Sequence, residues 1–271
     1  MLIRSGFNPT AFRIALLAFL YFCVVTPARA DTHTVVIGAD PWCPYICDMG
    51  ESQQGLMVDI AREALAYSDY EMVYSNINWA RTKQMVLAGE IDGLVGTVQA
   101  PDTDYHFPRT ALALTGTCFF RLASDPWEYE SPQSLDSKTM GWISEYLFEG
   151  IPGLNEWVEA HRDTSQLVAV TGTETHPRLF KLLLAGRIHT FADDPNVIHH
   201  ELKRHGLEDK IAMAGCPGPM LKTYVAFSKK TDRGEALARA LDIGFEKLRQ
   251  EGRLDALLAP YGLNEESWMP R

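Results

Sequence analysis

The sequence predicts an α/β protein made of two similar lobes that face each other across a ligand cleft. Short apolar runs typical of strands alternate with segments whose apolar residues have helical spacing, and this order favours mostly parallel sheets flanked by helices. Residues 87–97 (LAGEIDGLVGT) and 184–194 (LAGRIHTFADD) repeat one pattern of helix end, glycine, short strand and polar residues. We therefore expect two α/β units built alike, and 271 residues suffice for them.

The first unit is predicted from local patterns in chain order. Apolar residues at 56, 60, 61 and 65 recur at helical spacing, and Gly89 provides a stop for the helix before it. The predicted elements are a strand over Thr34–Gly38, a helix over Leu56–Ala66, a strand over Glu71–Tyr74, a helix over Ala80–Ala88 and a strand over Ile91–Gly96.

The later elements are predicted in the same way. Leu237, Leu241, Phe245 and Leu248 form one apolar face, which predicts a helix over Gly234–Glu251. A short helix over Leu254–Leu258 follows it, and another helix over Asn196–Arg204 begins just after Pro195.

Composition and charge limit the class of protein. Hydrophobic residues make up 46% and charged residues 22%, a balance typical of globular proteins that excludes disorder, collagen and coiled coil. The formal net charge is −10, so the chain has no electrostatic reason to bind nucleic acid or an anionic membrane.

Residues 1–30 have the pattern of a secretory signal peptide. Arg4 and Arg13 precede the apolar run Ile14–Val25, and Ala28-Arg29-Ala30 offers a small-x-small cleavage site. A membrane anchor is the alternative, but the run is shorter than the roughly 20 residues that span a bilayer. We expect cleavage after Ala30 and a periplasmic location.

Export determines how the cysteines are interpreted. An even number remains after the predicted cleavage, and an oxidising compartment favours disulfides. We favour Cys43–Cys47 and Cys118–Cys216. A zinc site of four cysteines is the competing interpretation, and a buried free thiol at Cys118 or Cys216 is the simpler one.

The sequence contains no motif that requires an enzyme. It has no GxSxG elbow, HExxH, P-loop or GxGxxG, and we predict neither catalysis nor a cofactor or metal. The stronger signal is a loop, DPWCPYIC, that follows the first strand and carries Trp42 and Tyr45 between two prolines. A stiff aromatic loop beyond a strand end suits the wall of a small-molecule pocket, although core packing is the simpler alternative.

Several segments in order resemble the family 3 extracellular solute-binding proteins of bacterial ABC transporters, of the polar amino-acid type. These segments are VVIGADPWCPY, GLMVDIAREAL, INWARTKQMVLAGEIDGLVGTV, LLLAGRIHTFADD and ALARALDIGFEKLRQEGRLDALLAPYG, within residues 34–262. The resemblance implies the two-lobed type II periplasmic-binding-protein fold. It also implies closure of the lobes over a small polar, amino-acid-like ligand.

The resemblance implies particular site residues. In the family an arginine, in a Thr-x-x-Arg pattern, clamps the ligand carboxylate; here Thr97 begins the corresponding stretch, and TVQAPDTD contains no arginine. The family's acid for the ligand amino group falls at Asp194, which is also a candidate helix cap before Pro195. The family's second-lobe threonine falls near Ser144 and Tyr146.

Trp79 and Arg81 lie where the family often has a pocket tryptophan. The planar guanidinium of Arg81 suits a carboxylate, so it is a candidate substitute clamp. A solvated arginine at a helix start is the alternative.

The predicted organisation has a discontinuous first lobe, 31–113 with 222–271, and a second lobe, 114–221. Leu112–Gly116 and Leu221–Val225 would form the hinge between them. The predicted function is a periplasmic binding protein, a monomer that serves an ABC permease. The alternatives are an exported cyclohexadienyl dehydratase of the same fold and a ligand-sensing module for a membrane receptor.

Overall fold

The structure, a computed structural model, describes residues 33–99 and 104–268. The predicted signal peptide at 1–30 and its cleavage site lie outside the described residues, as do Asp102 and Thr103. None of the helices in the described ranges has the length and apolar character needed to cross a bilayer.

Strands in the described residues form two sheets. The first has the order β2-β1-β3-β11-β4, with β5 also paired to β11, and the second has the order β10-β6-β9-β7-β8. The strands are β1 (His33–Ala39), β2 (Tyr70–Asn76), β3 (Gly93–Val98), β4 (Tyr105–His106), β5 (Ala113–Thr115), β6 (Cys118–Leu122), β7 (Met140–Ile143), β8 (Leu167–Val170), β9 (Thr190–Asp193), β10 (Ile211–Met213) and β11 (Leu221–Ser228).

Helices flank both sheets, which confirms the predicted two-lobed α/β fold. Two short 3-10 segments, Pro132–Leu135 and Ala259–Tyr261, complete the regular structure of the described residues. The helices are α1 (Leu56–Ala66), α2 (Trp79–Ala88), α3 (Leu154–His161), α4 (Thr175–Leu184), α5 (Pro195–His205), α6 (Gly234–Gln250), α7 (Leu254–Leu258) and α8 (Glu265–Trp268).

The sheets are mixed, so the prediction of mostly parallel sheets is wrong in this detail. β1 is parallel to β2 and β3, and β7 is parallel to β8 and β9, as expected for strands joined through helices. β11 is antiparallel to β3 because it enters from the second sheet at the end where β3 finishes, with Thr223 opposite Val98. β6 likewise pairs antiparallel with β9 and β10.

The helical spacing of the sequence is realised in the core. α1 buries Leu56, Ile60 and Leu65, the residues that predicted it, and it packs against α6. The helices approach closely at Gly244, where a Cβ atom would lie 1.8 Å from the carbonyl oxygen of Ala64. Only glycine permits this contact.

The repeated pattern of the sequence corresponds to repeated structure. Its first copy runs from the end of α2 through Gly89, which has φ 75°, into β3. Its second copy runs from the end of α4 through Gly186 into β9. Each copy therefore ends at the carboxyl end of a strand.

The two segments that connect the sheets pair with each other. β5 runs antiparallel to β11, with Leu221 opposite Thr115, and the hydroxyls of Thr115 and Thr223 lie 2.6 Å apart. The hinge and the lobe boundaries at 113/114 and 221/222 stay predictions.

The four described cysteines form the two predicted disulfides, Cys43–Cys47 and Cys118–Cys216. The pairing excludes a zinc site made of all four cysteines and a free thiol at Cys118 or Cys216. The first disulfide closes the aromatic loop after β1. The second joins the start of β6 to the segment after β10.

Candidate functional site

A cavity of about 240 Å³ lies between the strand ends of the two sheets. Both sheets contribute to its wall, since β3 and β11 belong to the first and Asp193 ends β9 of the second. Its carboxyl groups are those of Asp40, Glu145, Glu149, Asp193 and Asp194, and its aromatic residues are Trp42, Trp79, Tyr105, Tyr146 and Phe148.

Asp40 directly follows β1 and is 5% exposed. Its Oδ2 accepts a hydrogen bond of 3.1 Å from the hydroxyl of Tyr146, which lies in the segment after β7. Burial raises the pKa of Asp40 to about 7, against the opposing effects of the Tyr146 hydrogen bond and the charge of His176. The carboxyl group can therefore gain or lose a proton near neutral pH.

The aromatic loop contributes Trp42 to the cavity but buries Tyr45 beside it. Trp42 Nε1 donates a hydrogen bond of 2.8 Å to Asp193 Oδ1. The Tyr45 hydroxyl accepts a bond of 2.8 Å from Asn196 Nδ2 and donates one of 3.4 Å to the carbonyl oxygen of Leu114. Tyr45 does not line the cavity, so the structure places it in the core, where it also contacts α5.

Asp193 is held from behind by a buried histidine. His176 Nε2 lies 2.8 Å from Asp193 Oδ2, and both side chains are buried. Burial lowers the pKa of His176, but the hydrogen bond and charge of Asp193, together with the charges of Glu201 and Asp40, outweigh that effect, and the pKa is raised overall. The pair places a positive charge behind the cavity wall whenever the imidazole is protonated.

Asp194 caps α5 and also lines the cavity. Its Oδ1 accepts from the amides of Asn196 and Val197, at 2.9 and 3.3 Å, and its Oδ2 accepts from the amide of Gly116 at 2.8 Å. Burial raises its pKa to about 6, and the Gly116 hydrogen bond works in the opposite direction. The capping role is thus present in the structure, whereas a ligand contact stays a prediction.

α2 presents Trp79 and Lys83 to the cavity, not Arg81. Residues four apart share a helix face, and a residue two positions along points elsewhere. Arg81 is exposed and outside the cavity wall. Lys83 Nζ lies 3.2 Å from the carbonyl oxygen of Glu145 and 3.6 Å from its carboxylate.

The remaining predicted residues fall in different places. Thr97, near the end of β3, and Tyr146 line the cavity. Trp79 contacts Tyr146 edge-on, with ring centroids 6.4 Å apart. Ser144 is half-buried outside the wall, and its amide donates to the carbonyl oxygen of Val170.

Sequence reasoning missed Asp40, Asp193, Lys83, Glu145 and Tyr105. Two of them carried a usable signal, because Asp40 follows the first strand and Asp193 ends a strand of the repeated pattern. Lys83 was detectable as the residue four positions after Trp79.

Comparisons with known proteins identify the fold. Neither a protein-family model nor a curated protein matches this chain. Among solved structures, a histidine kinase sensor domain with similarity to periplasmic binding proteins matches with TM-score 0.69 and 16% identity, over 85% of this chain and 97% of that one. A structure from work on glutathione import via GshT and the cystine importer TcyBC of Streptococcus mutans matches with TM-score 0.69 and 15% identity, over 88% and 98%.

A mutant of the arginine-binding protein ArgBP of T. maritima matches with TM-score 0.68 and 14% identity, over 84% of this chain and 95% of that one. These likenesses extend over nearly all of the described residues. They confirm the two-lobed type II periplasmic-binding-protein fold that the sequence resemblance implied.

Proposed function

We propose that this protein binds a small polar, amino-acid-like solute in the cavity and delivers it to an ABC-type importer. The observation that carries the proposal is a cavity walled by both sheets and bridged by hydrogen bonds between them. Asp40 and Trp42 of the first sheet's loops bond to Tyr146 and Asp193 of the second. A solute held there would favour the form in which these bonds exist.

The size of the cavity supports a small solute. The cavity volume is about 240 Å³. This is less than the range of about 300–1,000 Å³ typical of drug-sized ligands. A ligand with the dimensions of an amino acid fits.

The cellular setting is also a proposal. Two disulfides and the predicted leader support a periplasmic location, where such bonds persist. ArgBP, the protein of one matching structure, and the glutathione-import work from which another matching structure comes support the binding role. We propose a monomer that docks on a membrane permease.

A sensor function is the second candidate, since one matching structure is the sensor domain of a histidine kinase. In that case the same ligand-driven closure would report to a receptor instead of a permease. Binding and closure are common to both candidate functions, so a pull-down experiment is needed to separate them. Capture by the candidate permease favours transport, and capture by the receptor favours sensing.

Small-angle scattering tests the binding proposal directly. Amino acids and amines are added to the purified protein one at a time. We expect the radius of gyration to fall with any solute that binds, and we expect that solute to remain chemically unchanged. Native mass spectrometry of the protein as isolated gives the mass of any bound solute. Steady conversion of prephenate or arogenate would contradict the proposal and favour the dehydratase alternative.

A further inference from the structure

We propose that the cavity takes a small organic cation that carries N–H ammonium groups and no carboxylate, such as an aliphatic amine or diamine. The inference rests on the proposed function and names the ligand class of that same cavity. It follows from the imbalance of charge in the wall, the capacity of Asp40 to accept further hydrogen bonds, and the lack of a free lysine or arginine for a ligand carboxylate among the described residues of the wall.

The wall of the cavity is strongly acidic. Five carboxyl groups line it, whereas Lys83 is the one lysine or arginine among the described residues that do so. That lysine is already engaged by Glu145, through both its carboxylate and its carbonyl oxygen. A carboxylate brought in by a ligand would therefore meet like charges and no free cation.

Asp40 retains capacity for hydrogen bonds from a ligand. A carboxylate accepts about four hydrogen bonds, and Asp40 receives one from Tyr146 and one from its own backbone amide. Asp193, by contrast, accepts from Trp42, from the amide of Asp194 and from His176. A buried carboxylate with few donors is costly, so an ammonium group that supplies them is favoured.

The arginine that clamps carboxylates in the resembling family has no counterpart here. Residues 97–104 read TVQAPDTD, with two acids and no base. Arg81, the other candidate clamp, is exposed outside the wall. The departure thus removes the group that clamps a ligand carboxylate in that family, while the wall of the cavity keeps its five carboxyl groups.

A metal ion does not account for the acids. Among the described residues, only Cys43, Cys47 and Glu51 bring three potential ligand atoms within 4.8 Å of one another, and two of those are joined in a disulfide. No three of the described cavity carboxylates come that close to one another. The acids of the wall therefore do not form a three-ligand metal site, and an organic cation is the alternative.

The aromatic residues of the wall suit the same ligand. The indole of Trp42 lines the cavity with its Nε1 bonded to Asp193, and its ring lies 5.0 Å from that of Tyr45. The ammonium of Lys83 already lies 5.8 Å from the ring centroid of Trp79. Aromatic faces attract cations and pack against aliphatic chains, which are the two parts of an alkylamine.

Matched pairs of compounds isolate the effect of the carboxylate. Agmatine is L-arginine without the carboxylate, and 1,4-diaminobutane is L-ornithine without the carboxylate. We expect calorimetry at pH 8 to give at least tenfold tighter binding for one or both amines than for the matching amino acid. Equal or tighter binding of both amino acids, or no binding of either amine at millimolar concentration, overturns the inference.

Two substitutions test which groups the ligand meets. We expect Asp40→Asn to weaken binding of the tighter amine at least tenfold, and Asp163→Asn, an exposed change of the same charge, to leave it unchanged. Lys83→Gln is expected to preserve or strengthen binding, since it removes a positive charge. A loss of binding in Lys83→Gln, or unchanged binding in Asp40→Asn, overturns the inference.

Two further outcomes distinguish failure of the proposed ligand class from failure of the proposed binding function. Compaction in scattering with a neutral or anionic solute, but with neither amine, would refute the cationic ligand and leave the binding function in place. Turnover of prephenate or arogenate, with no compaction by any solute, would refute both.

Discussion

The hydroxyl of Tyr146 donates a hydrogen bond of 3.1 Å to Asp40 Oδ2, which joins the end of β1 in the first sheet to the segment after β7 in the second. Each residue depends on the other, because the tyrosine needs a buried acceptor and the carboxyl needs a donor. The bond therefore links the titration of Asp40 to the contact between the sheets.

Tyr146→Phe should raise the pKa of Asp40 further, because the hydrogen bond from the hydroxyl favours the ionised form. The variant should also lose about 1–3 kcal/mol of unfolding free energy at pH 8, the cost of leaving a buried acceptor without its partner. Carbon-13 NMR titration and urea denaturation measure the two effects. Tyr105→Phe, at another tyrosine of the cavity wall, is the control; an equal loss there would contradict the assignment.

The free energy of unfolding should depend on Asp40 with a definite sign. Its pKa is about 7 in the folded protein and near 3.8 when unfolded, so the folded state binds the proton more tightly. Stability from this group is present at low pH and declines as pH rises from about 4 to 7, by at most about 4 kcal/mol. Asp194, with a pKa of about 6, and His176 act in the same direction.

Asp40→Asn removes that decline, so the variant should gain stability relative to the parent as pH rises from 5 to 8. Urea denaturation of both proteins at several pH values, without ligand, measures the difference. A difference that does not change with pH would show that Asp40 titrates normally.

His176→Leu should destabilise the protein by about 1.5–3 kcal/mol, because the buried carboxylate of Asp193 loses its charged partner. The bonds that Asp193 accepts from Trp42 and from the amide of Asp194 remain. His176→Gln keeps a donor without the charge and should cost less. Denaturation near pH 6 compares the variants. His189→Gln, at an exposed histidine, serves as control, and equal stability of all three would contradict the buried pair.

Asp194→Asn should cost about 1–2 kcal/mol of unfolding free energy at pH 8. The asparagine can keep its oxygen toward Asn196 and Val197 or toward Gly116, but its amide then meets the other set of N–H donors. Hydrogen exchange at the start of α5 reports loss of the bonds from Asn196 and Val197, and exchange at Gly116 reports loss of the bond from its own amide. Protection unchanged at both places would refute this geometry.

The two disulfides should contribute unequally. Their sequence separations are 98 residues for Cys118–Cys216 and 4 for Cys43–Cys47. Loop-closure entropy predicts about 4–5 kcal/mol for the long loop and about 2 for the short one. Urea denaturation of the two double serine variants measures how much unfolding free energy each disulfide contributes. A larger loss for Cys43→Ser with Cys47→Ser than for Cys118→Ser with Cys216→Ser would contradict the prediction.

The fold was predictable because its signals are local. The apolar spacing in Leu56–Ala66 and the repeated helix-glycine-strand pattern need only neighbouring residues, and the structure confirms both. The antiparallel direction of β11 was not predictable in this way, since it depends on where the chain re-enters the first sheet.

The site was predictable only in part. Tyr45 is buried because Asn196, 151 positions away, supplies its partner, and no pattern near Tyr45 indicates that contact. Arg81 and Lys83 lie on different faces of the same helix. Predicting which of them lines the cavity therefore requires knowing which face of the helix is turned toward it. Asp40 is one of 35 acidic residues in the sequence, and its contact with Tyr146, which marks it as a site residue, depends on the fold.

β11 lies between β3 and β4 in the first sheet although it follows the whole second sheet in sequence. A chain emerging from its N-terminus therefore displays β3 with an uncovered edge until Ser228 is available, and open strand edges are templates for aggregation. The second sheet takes all its strands from Cys118–Met213 and can be completed earlier. The part of the protein made first is thus the last to become stable, and a chaperone that holds the nascent chain must protect it for that interval.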